Sequence, residues 1–374
     1  MIYKMEAEAP INTDMGEHPV KADRIADKAI FTMALMHLVA GIFFVVTLIS
    51  TAATLSGDAA ADEILACEGE NLVHQLQEEN PTKLAEISAA AEEFSNGEAI
   101  LWKITREGSE PSWLFGTMHS ADKRILAMMD KIRPQFETAS TVIIENTDTI
   151  EGKKPGANLA LLKQYAFLDA GTTLDSLVAD AELPLLKKEL ASRRMAWASA
   201  RHMQPWLITA SIGIPVCDLQ AKAKGGAVLD TVIGKTAKDQ GKTVIGLETA
   251  EEQFKAVSSI PFEFHVNALN ETLKLSHLSS DLMETTKYLY LEGKPGWMLP
   301  LVRSFAPKTY TGKGYTEFQK LLLTNRNLLM AERAAEHLEK GNVFMAVGGL
   351  HLPGDEGLVE LLRKAGYTLE PISL

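Results

Sequence analysis

Short runs of apolar residues recur along this chain, and each is bounded by glycine, proline or polar residues. Such runs predict β-strands, because a strand covered on both faces needs only a few consecutive apolar residues. The predicted strands lie at residues 99–105, 112–117, 140–146, 242–249, 342–349 and 367–374. The polar turn at residues 106–111 predicts that the first two strands form a hairpin.

Longer stretches with helical spacing separate these strands. They predict helices at residues 123–139, 227–241, 250–305, 321–341 and 355–366, and a mostly helical block over residues 156–214. Pro134 and Pro261 are expected to break the helices that contain them, and Gly341 to end one. Residues 312–318 predict a loop. Strands that alternate with helices, together with one hairpin, predict an α/β (α+β) fold on a mixed β-sheet.

A different pattern occupies the N-terminal part, where no charged residue occurs between Lys28 and Asp58. An apolar run of this length can span a bilayer as a helix, and nothing amphipathic along it favours a buried helix of a globular domain. Because Lys21, Arg24 and Lys28 precede the run, we expect the chain that follows it to lie outside the cytoplasm.

The processing of this N-terminal segment stays open. Residues 58–62 offer the small A-x-A arrangement of a signal peptidase site, with cleavage after about Ala61. The length of the apolar run favours a retained anchor instead, and the mixed-charge stretch before it is compatible with a start at Met15. We expect residues 1–61 to form a cytoplasmic stub with a signal peptide or membrane anchor. Residues 62–374 would form one domain, periplasmic or anchored in the inner membrane.

Composition is that of an ordinary globular protein. Of 374 residues, 46% are apolar and 23% are charged, with a net charge of -12. This negative charge, with no basic patch, argues against a nucleic-acid partner. Both cysteines, Cys67 and Cys217, follow the apolar run, and an even pair in an exported domain predicts a disulfide. Two unrelated buried thiols are the alternative.

Two strand ends carry the same motif, a glycine followed three residues later by a histidine. GTMH begins at Gly116 and GGLH at Gly348, each after an apolar strand and before a short loop and a helix. This strand–GxxH–helix unit, present near each end of the domain, is an imperfect repeat. Ligands of open α/β sheets bind at the carboxyl ends of strands. If the two strands are neighbours, His119 and His351 share one crevice, and we expect both imidazoles at its rim.

Longer stretches carry a family resemblance. They are WLFGTMHSAD, VIIEN, MQPW, GLETAEEQF, LTNRNLLMAER and AVGGLHLPGDEGLVELLRKAGYTLEPI, and they extend over most of the chain after Cys67. In them the chain resembles the TraB/GumN family, whose animal relatives are the Tiki proteins. The resemblance implies a metal-dependent, peptidase-like fold related to the erythromycin esterases, with manganese or cobalt as the metal. It also implies an exported subgroup with a pair of cysteines.

Carried over position by position, the resemblance assigns His119 and His351 to the motif histidines and Glu145 to a strand-end glutamate. Two neutral imidazoles and one carboxylate bind a divalent first-row metal, zinc included, and leave positions open for water and substrate. A metal-bound water becomes a nucleophile near neutral pH. The alternatives are a hydrogen-bonded structural histidine, and a glutamate that caps a helix or forms a salt bridge.

The resemblance also places Glu248 at another strand end and matches Arg326 and Asn327 to an Arg-Asn pair of the penultimate helix. Glu248 is the candidate general base. Arg326 is expected to clamp a substrate carboxylate or stabilise an oxyanion, or else to pair with one of the glutamates. Asn327 belongs to the same candidate catalytic group.

Three functions remain open at this point. A metal-dependent hydrolase would cleave a peptide or a related amide outside the cytoplasm. A metal-independent, esterase-like hydrolase would use His119 or His351 as its base. A partner-binding protein would keep the fold without catalysis. A membrane is a further expected partner if the N-terminal segment is retained.

Overall fold

The computed structural model describes residues 67–151, 160–161, 163–305 and 313–374. The apolar run near the N-terminus and its candidate cleavage site lie outside these residues. Within the described ranges, no helix combines the length and the apolarity that crossing a bilayer requires.

A six-stranded sheet forms the centre of the fold. Its strands are β1 (Leu101–Thr105), β2 (Ser112–Thr117), β3 (Thr141–Ile144), β4 (Thr243–Gly246), β5 (Val343–Gly348) and β6 (Thr368–Ile372). Their order across the sheet is β4-β3-β5-β2-β1-β6. β4, β3, β5 and β2 run parallel, whereas β1 lies antiparallel between β2 and β6. The predicted mixed α/β fold and its hairpin are therefore confirmed.

Helices connect the strands and cover the sheet. They are α1 (Leu72–Glu79), α2 (Pro81–Glu92), α3 (Lys123–Leu126), α4 (Met128–Lys131), α5 (Arg133–Thr138), α6 (Asp148–Glu151), α7 (Leu183–Ser192), α8 (Trp197–Ala200), α9 (Pro205–Gly213), α10 (Val216–Ala223), α11 (Leu229–Asp239), α12 (Ala250–Ser258), α13 (Phe262–Lys274), α14 (Ser279–Leu291), α15 (Pro295–Phe305), α16 (Lys313–Gln319), α17 (Asn325–Leu338) and α18 (Leu358–Lys364). Pro261 immediately precedes α13, and Pro134 lies in the first turn of α5, so both prolines separate helices as predicted.

Both faces of the sheet are buried, which explains why its central strands are continuously apolar. Along β5, Phe344 and Ala346 pack into the cluster on one face, whereas Met345 and Val347 pack into the cluster on the other. Successive side chains of a strand point to opposite faces, so a strand between two layers of helices must be apolar throughout. Helices α11 and α14 contribute to the first layer, and helices α17 and α18 to the second.

The loop predicted at residues 312–318 is wrong, because residues 313–318 belong to helix α16. Tyr315 and Phe318 lie three residues apart, on one face of this helix, and both are buried beside Phe264 of α13. This apolar contact outweighs the low helix propensity of Gly314. The helix predicted at 321–341 also differs, since Lys320–Thr324 is π-helical and α17 begins only at Asn325.

Cys67 and Cys217 form a disulfide, with Cα atoms 5.4 Å apart. The predicted bond is confirmed, and the alternative of two unrelated thiols is wrong. The disulfide ties the segment before α1 to the start of α10. Next to it, Asp218 lies 3.4 Å from Lys287 Nζ, which is 3.5 Å from Asp122. The disulfide therefore adjoins a buried cluster of charges that reaches the loop after β2.

The parallel strands bring their carboxyl ends to one edge of the sheet. Thr117 at the end of β2 pairs with Gly348 at the end of β5. Ile144 of β3 pairs with Ala346 of β5 and with Gly246 of β4. The two GxxH strands are thus neighbours, which is the arrangement that a shared crevice requires.

Candidate functional site

All residues carried over from the family resemblance lie at this carboxyl edge or reach it, namely His119, Glu145, Glu248, Arg326, Asn327 and His351. The four strand-end residues follow β2, β3, β4 and β5 in that order, and the Arg-Asn pair approaches from the first turn of α17. All but His119 are buried, and His119 keeps 16% of its side chain exposed. The structure thus collects the predicted residues at one end of the sheet.

His351 is held in a defined orientation by α17. Its Nδ1 lies 2.5 Å from Asn327 Oδ1, and Asn327 donates from Nδ2 to the carbonyl oxygen of Glu356 at 2.8 Å. Because the amide NH2 is used in this way, the amide oxygen is left to accept from Nδ1–H. The other ring nitrogen, Nε2, is then unprotonated in the neutral imidazole and lies 3.8 Å from Glu145 Oε1.

The surroundings of His351 keep it neutral. Burial, followed by the charges of Arg326 and His119, lowers its pKa well below the ordinary value. The expectation that this imidazole lies at the rim is wrong, since none of His351 is exposed. The cause is local: the 3-10 turn Gly349–His351 directs the ring towards α17.

Glu145 is the carboxylate beside this imidazole. Its Oε1 accepts from the backbone N–H of Gly348 at 2.6 Å, and its Oε2 accepts from Arg326 Nη2 at 3.0 Å. A Cβ atom at position 348 would lie 3.0 Å from Oε1. Glycine at the start of the GGLH motif therefore permits the close approach of the strand end to the carboxylate.

Arg326 pairs with both strand-end glutamates. It donates to Glu248 from Nε at 2.9 Å and from Nη2 at 2.6 Å, in addition to its bond with Glu145. Gln253 of α12 extends the network, with Nε2 3.4 Å from Glu145 Oε2 and 3.3 Å from Glu248 Oε2. Burial opposes the charge of Arg326, but the two carboxylates outweigh it and raise the pKa of the guanidinium.

This network bears on the roles predicted for the two residues. Of the alternatives for Arg326, pairing with a glutamate is the one that the geometry displays. Both oxygens of Glu248 are engaged by the guanidinium, so a role as general base stays a prediction that the geometry does not favour.

His119 is oriented by a residue that the sequence did not single out. Its Nδ1 lies 2.8 Å from Asp230 Oδ2, and Thr117 donates from Oγ1 to Asp230 Oδ1. Burial disfavours the imidazolium, but the charge and hydrogen bond of Asp230, aided by Glu145, outweigh burial and raise the pKa of His119; the charge of Lys222 acts in the opposite direction. The two motif histidines are therefore shifted in opposite directions, as in sites where one group stays neutral and another carries a proton.

Asp230 and Gln253 escaped sequence reasoning for different reasons. Gln253 lies within the GLETAEEQF stretch, where it follows Glu248 by five residues, so its neighbourhood was available as a signal. Asp230 lies far from His119 in sequence, at the start of an amphipathic helix whose first turn commonly holds an acidic residue. Nothing local distinguishes it from an ordinary helix-start aspartate.

The donor set fits a divalent metal in kind. Each motif histidine turns Nδ1 to an oxygen, which is the usual support of a metal-bound imidazole and leaves Nε2 as the ligand. The distances fit a metal site less well than the donor types do. His351 Nε2 and Glu145 Oε1 are 3.8 Å apart, but the candidate ligand atoms of His119, Glu145 and His351 do not all lie within 4.8 Å of one another. Within the described ranges, only Cys67, Cys217 and Asp218 form such a group, and sulfurs joined in a disulfide offer no thiolate.

A cavity of about 310 Å³ lies beside this network, at the carboxyl end of β4. Its lining comes from the segment after β3, the start of α6, the end of β4 and helices α12 and α17: Thr147, Asp148, Gly246, Leu247, Glu248, Thr249, Glu252 and Arg333. This volume is at the lower end of the range found for small-molecule sites.

Comparison with known proteins identifies relatives across most of the domain. The model of the TraB/PrgY/gumN family matches residues 100–371. Metalloprotease TIKI1 of Danio rerio is 22% identical over 318 residues, which cover 73% of this chain and 63% of that protein. The uncharacterized protein YbaP of Escherichia coli K12 is 24% identical over 261 residues, covering 70% and 90%. The metalloprotease TIKI homolog of Nematostella vectensis is 21% identical, covering 74% and 67%.

The alignment therefore spans less than two thirds of the zebrafish metalloprotease. No solved structure matches this chain.

Proposed function

The chain belongs to the TraB/PrgY/gumN family, as the resemblance predicted, and from this premise we propose that it is a hydrolase of peptide bonds or related amides. Relatives named metalloproteases support this reaction class. The observation that carries the proposal is the carboxyl edge of the sheet, where a buried carboxylate lies 3.8 Å from one of two imidazoles, and where Nδ1 of each imidazole lies within 2.8 Å of a side-chain oxygen. A purely structural pair of histidines would not need this matched orientation.

A divalent metal would be held by Nε2 of His119, Nε2 of His351 and the carboxylate of Glu145. Bound there, it would supply a water of lowered pKa as the nucleophile. Asn327 would keep Nε2 of His351 directed to the centre, since its oxygen occupies Nδ1. Arg326 would hold the carboxylate of Glu145 in place through its bond to Oε2.

A second candidate function has one specific observation in its favour. Asp230 and His119 form a carboxylate–imidazole pair at 2.8 Å, the arrangement that orients a histidine as a general base. In a metal-independent, esterase-like reaction, Nε2 of His119 would take a proton from water while the oxygen attacks the substrate carbonyl. The imidazolium would then return the proton to the leaving group.

Metal content and activity separate these functions. The full-length chain, purified in detergent because of its apolar N-terminal run, is analysed for bound metals and assayed on a peptide mixture and an ester panel, with and without chelator. We expect bound divalent metal, peptide cleavage and loss of both with chelator. Cleavage that persists in chelator would favour the metal-independent route, and cleavage of nothing on either panel would contradict the proposed function.

Two substitutions link that activity to the candidate site. His119→Ala and His351→Ala should each abolish cleavage while the circular dichroism spectrum is kept. His277→Ala is the matched control, because His277 is exposed and bonds only locally, to the carbonyl oxygen of Lys274. If either motif variant cleaves as well as the control, the site is assigned wrongly.

We further propose that the domain works outside the cytoplasm. The charge pattern before the apolar run supports this orientation, and the disulfide between Cys67 and Cys217 is typical of an oxidising compartment. Alkaline phosphatase fused after Leu374, which is active only after export, should be active. An inactive phosphatase, with an active cytoplasmic reporter at the same position, would contradict this location.

A further inference from the structure

Asp230 lies on a rigid part of the fold. It is the second residue of α11. Its neighbours on this helix, Leu229 and Ile233, are fully buried against the sheet. The carboxylate is therefore anchored at a buried helix start rather than on a mobile surface segment.

Both oxygens of Asp230 are directed to the end of β2. Oδ1 accepts from Thr117 Oγ1 at 2.5 Å, and Oδ2 lies 2.8 Å from His119 Nδ1. The two partners are the second and fourth residues of the GTMH motif, so the motif supplies a hydroxyl that orients the carboxylate and an imidazole that the carboxylate orients. Tyr290 closes the strand end from another side, since its hydroxyl donates to the carbonyl oxygen of Gly116 at 2.8 Å.

The second GxxH unit reaches the same result by other means. Its second residue is Gly349, which has no hydroxyl, and His351 turns Nδ1 to the amide oxygen of Asn327 instead. The carboxylate in one unit and the amide in the other both face Nδ1. In each neutral ring the proton is then on Nδ1 and the lone pair is on Nε2. This convergence of two different partners on one ring orientation is what distinguishes the contact from an incidental salt bridge.

We propose that Asp230 is a positioning residue of the candidate active centre, which fixes the tautomer and orientation of His119 and is itself fixed by Thr117. The inference rests on the proposed function, but it holds whether Nε2 serves as a metal ligand or as a base. Both roles require the proton on Nδ1 and the electron pair on Nε2.

Nitrogen NMR of the histidine rings tests this directly. The full-length chain is labelled with ¹⁵N-histidine, freed of metal with chelator and recorded at a pH where His119 is neutral. Its signals are assigned by their loss in His119→Gln. We expect the Nδ1–H tautomer in the wild type and a shift towards Nε2–H in Asp230→Ala. Metal affinity or hydrolysis should fall about 10- to 100-fold in the same variant, as for other residues that support a ligand.

Further variants separate positioning from stability. Thr117→Val keeps the volume of a buried residue and removes only the bond that orients Asp230, so it should give a partial version of both effects. Asp230→Asn should retain the wild-type tautomer, since its amide can accept from Nδ1–H while donating to Thr117 Oγ1. Asp239→Ala, at the exposed end of the same helix, is the matched control and should change neither readout.

The two proposals fail in different ways. A folded Asp230→Ala protein, or a folded Thr117→Val protein if the first does not fold, that keeps the wild-type tautomer and the wild-type metal affinity overturns the positioning role even when no substrate is known. A wild-type chain that hydrolyses nothing, while the tautomer still depends on Asp230, contradicts only the proposed function.

Discussion

The pairing of Arg326 with two glutamates leads to a prediction about stability. The three side chains are almost wholly buried, with 7% of Arg326, 10% of Glu145 and 2% of Glu248 exposed. Replacing Arg326 with Met removes the positive charge but keeps most of the apolar side-chain volume. Two buried carboxylates then face each other with no counter-charge, and Gln253 alone cannot compensate for it.

The cost follows from the burial. Removing one partner of a buried ion pair typically destabilises a protein by about 3 to 5 kcal/mol, because the remaining charge stays desolvated. Because two carboxylates lose their counter-charge, we expect the destabilisation by Arg326→Met to lie at the upper end of that range. Arg333 is the matched control on the same helix: it pairs with Glu252 at 2.6 Å, but both side chains are 37% exposed. Arg333→Met should therefore cost less than about 1 kcal/mol in that ion pair.

Urea unfolding measures both variants, with the free energy of unfolding extrapolated to water. A second substitution, Glu248→Gln, should recover part of the loss in Arg326→Met, since it removes one stranded charge. In the wild-type background the same Glu248→Gln change should be destabilising. Equal free energies of unfolding for Arg326→Met and Arg333→Met would refute the buried network, as would strict additivity of the two changes at 326 and 248.

Three other changes have defined outcomes. Cys217→Ser should lower the free energy of unfolding by roughly 2 to 5 kcal/mol, because the disulfide closes a loop of 150 residues; unchanged urea midpoints with and without reductant in the wild type would contradict this. His265 is buried, and burial lowers its pKa from 6.5 to about 4. The contribution of the neutral His265 to the free energy of unfolding is therefore complete above pH 6.5 and is lost as the pH falls towards 4, by about 3 kcal/mol in all. His265→Gln should make the free energy of unfolding less dependent on pH in that window. Gly348→Ala should reduce activity without changing the fold, since φ at 348 is -52° but the new Cβ would lie 3.0 Å from Glu145 Oε1; full activity would exclude the close approach.

The strands of the sheet were predictable because each has a distinctive pattern within its own residues. A strand buried on both faces is apolar throughout, so β2 and β5 stand out locally, and their motif glycines mark where they end. The loop predicted at residues 312–318 is wrong because the conformation there depends on a distant residue: Tyr315 and Phe318 are helical where they pack beside Phe264. Local propensity alone favours a loop there, and tertiary contact decides otherwise.

The same distinction divides the candidate site. Residues at the strand ends were predictable, since parallel strands place their carboxyl ends at one edge once the topology is known. Asp230 was not predictable, and Asn327 was predicted as a site residue but not as the partner of His351, because both come from helices whose distance from the histidines is set by packing. The sequence around Arg326 is compatible with substrate binding and with ion pairing, and only the position of both glutamates separates these two roles.

The unequal burial of the two imidazoles gives them different parts in any reaction at this edge. His351 is fully buried and Glu145 nearly so, with Nε2 and Oε1 3.8 Å apart, so neither side chain is open to a bulky substrate. His119 keeps 16% of its side chain exposed and is the member of the set that a large substrate can approach. A carboxylate partner suits this rim imidazole, because it stabilises the positive charge that develops when a proton is taken up near solvent. An amide partner suits the buried one, because His351 then stays neutral beside Arg326, as its lowered pKa requires. The difference between Asp230 and Asn327 thus matches the difference in what each histidine can touch.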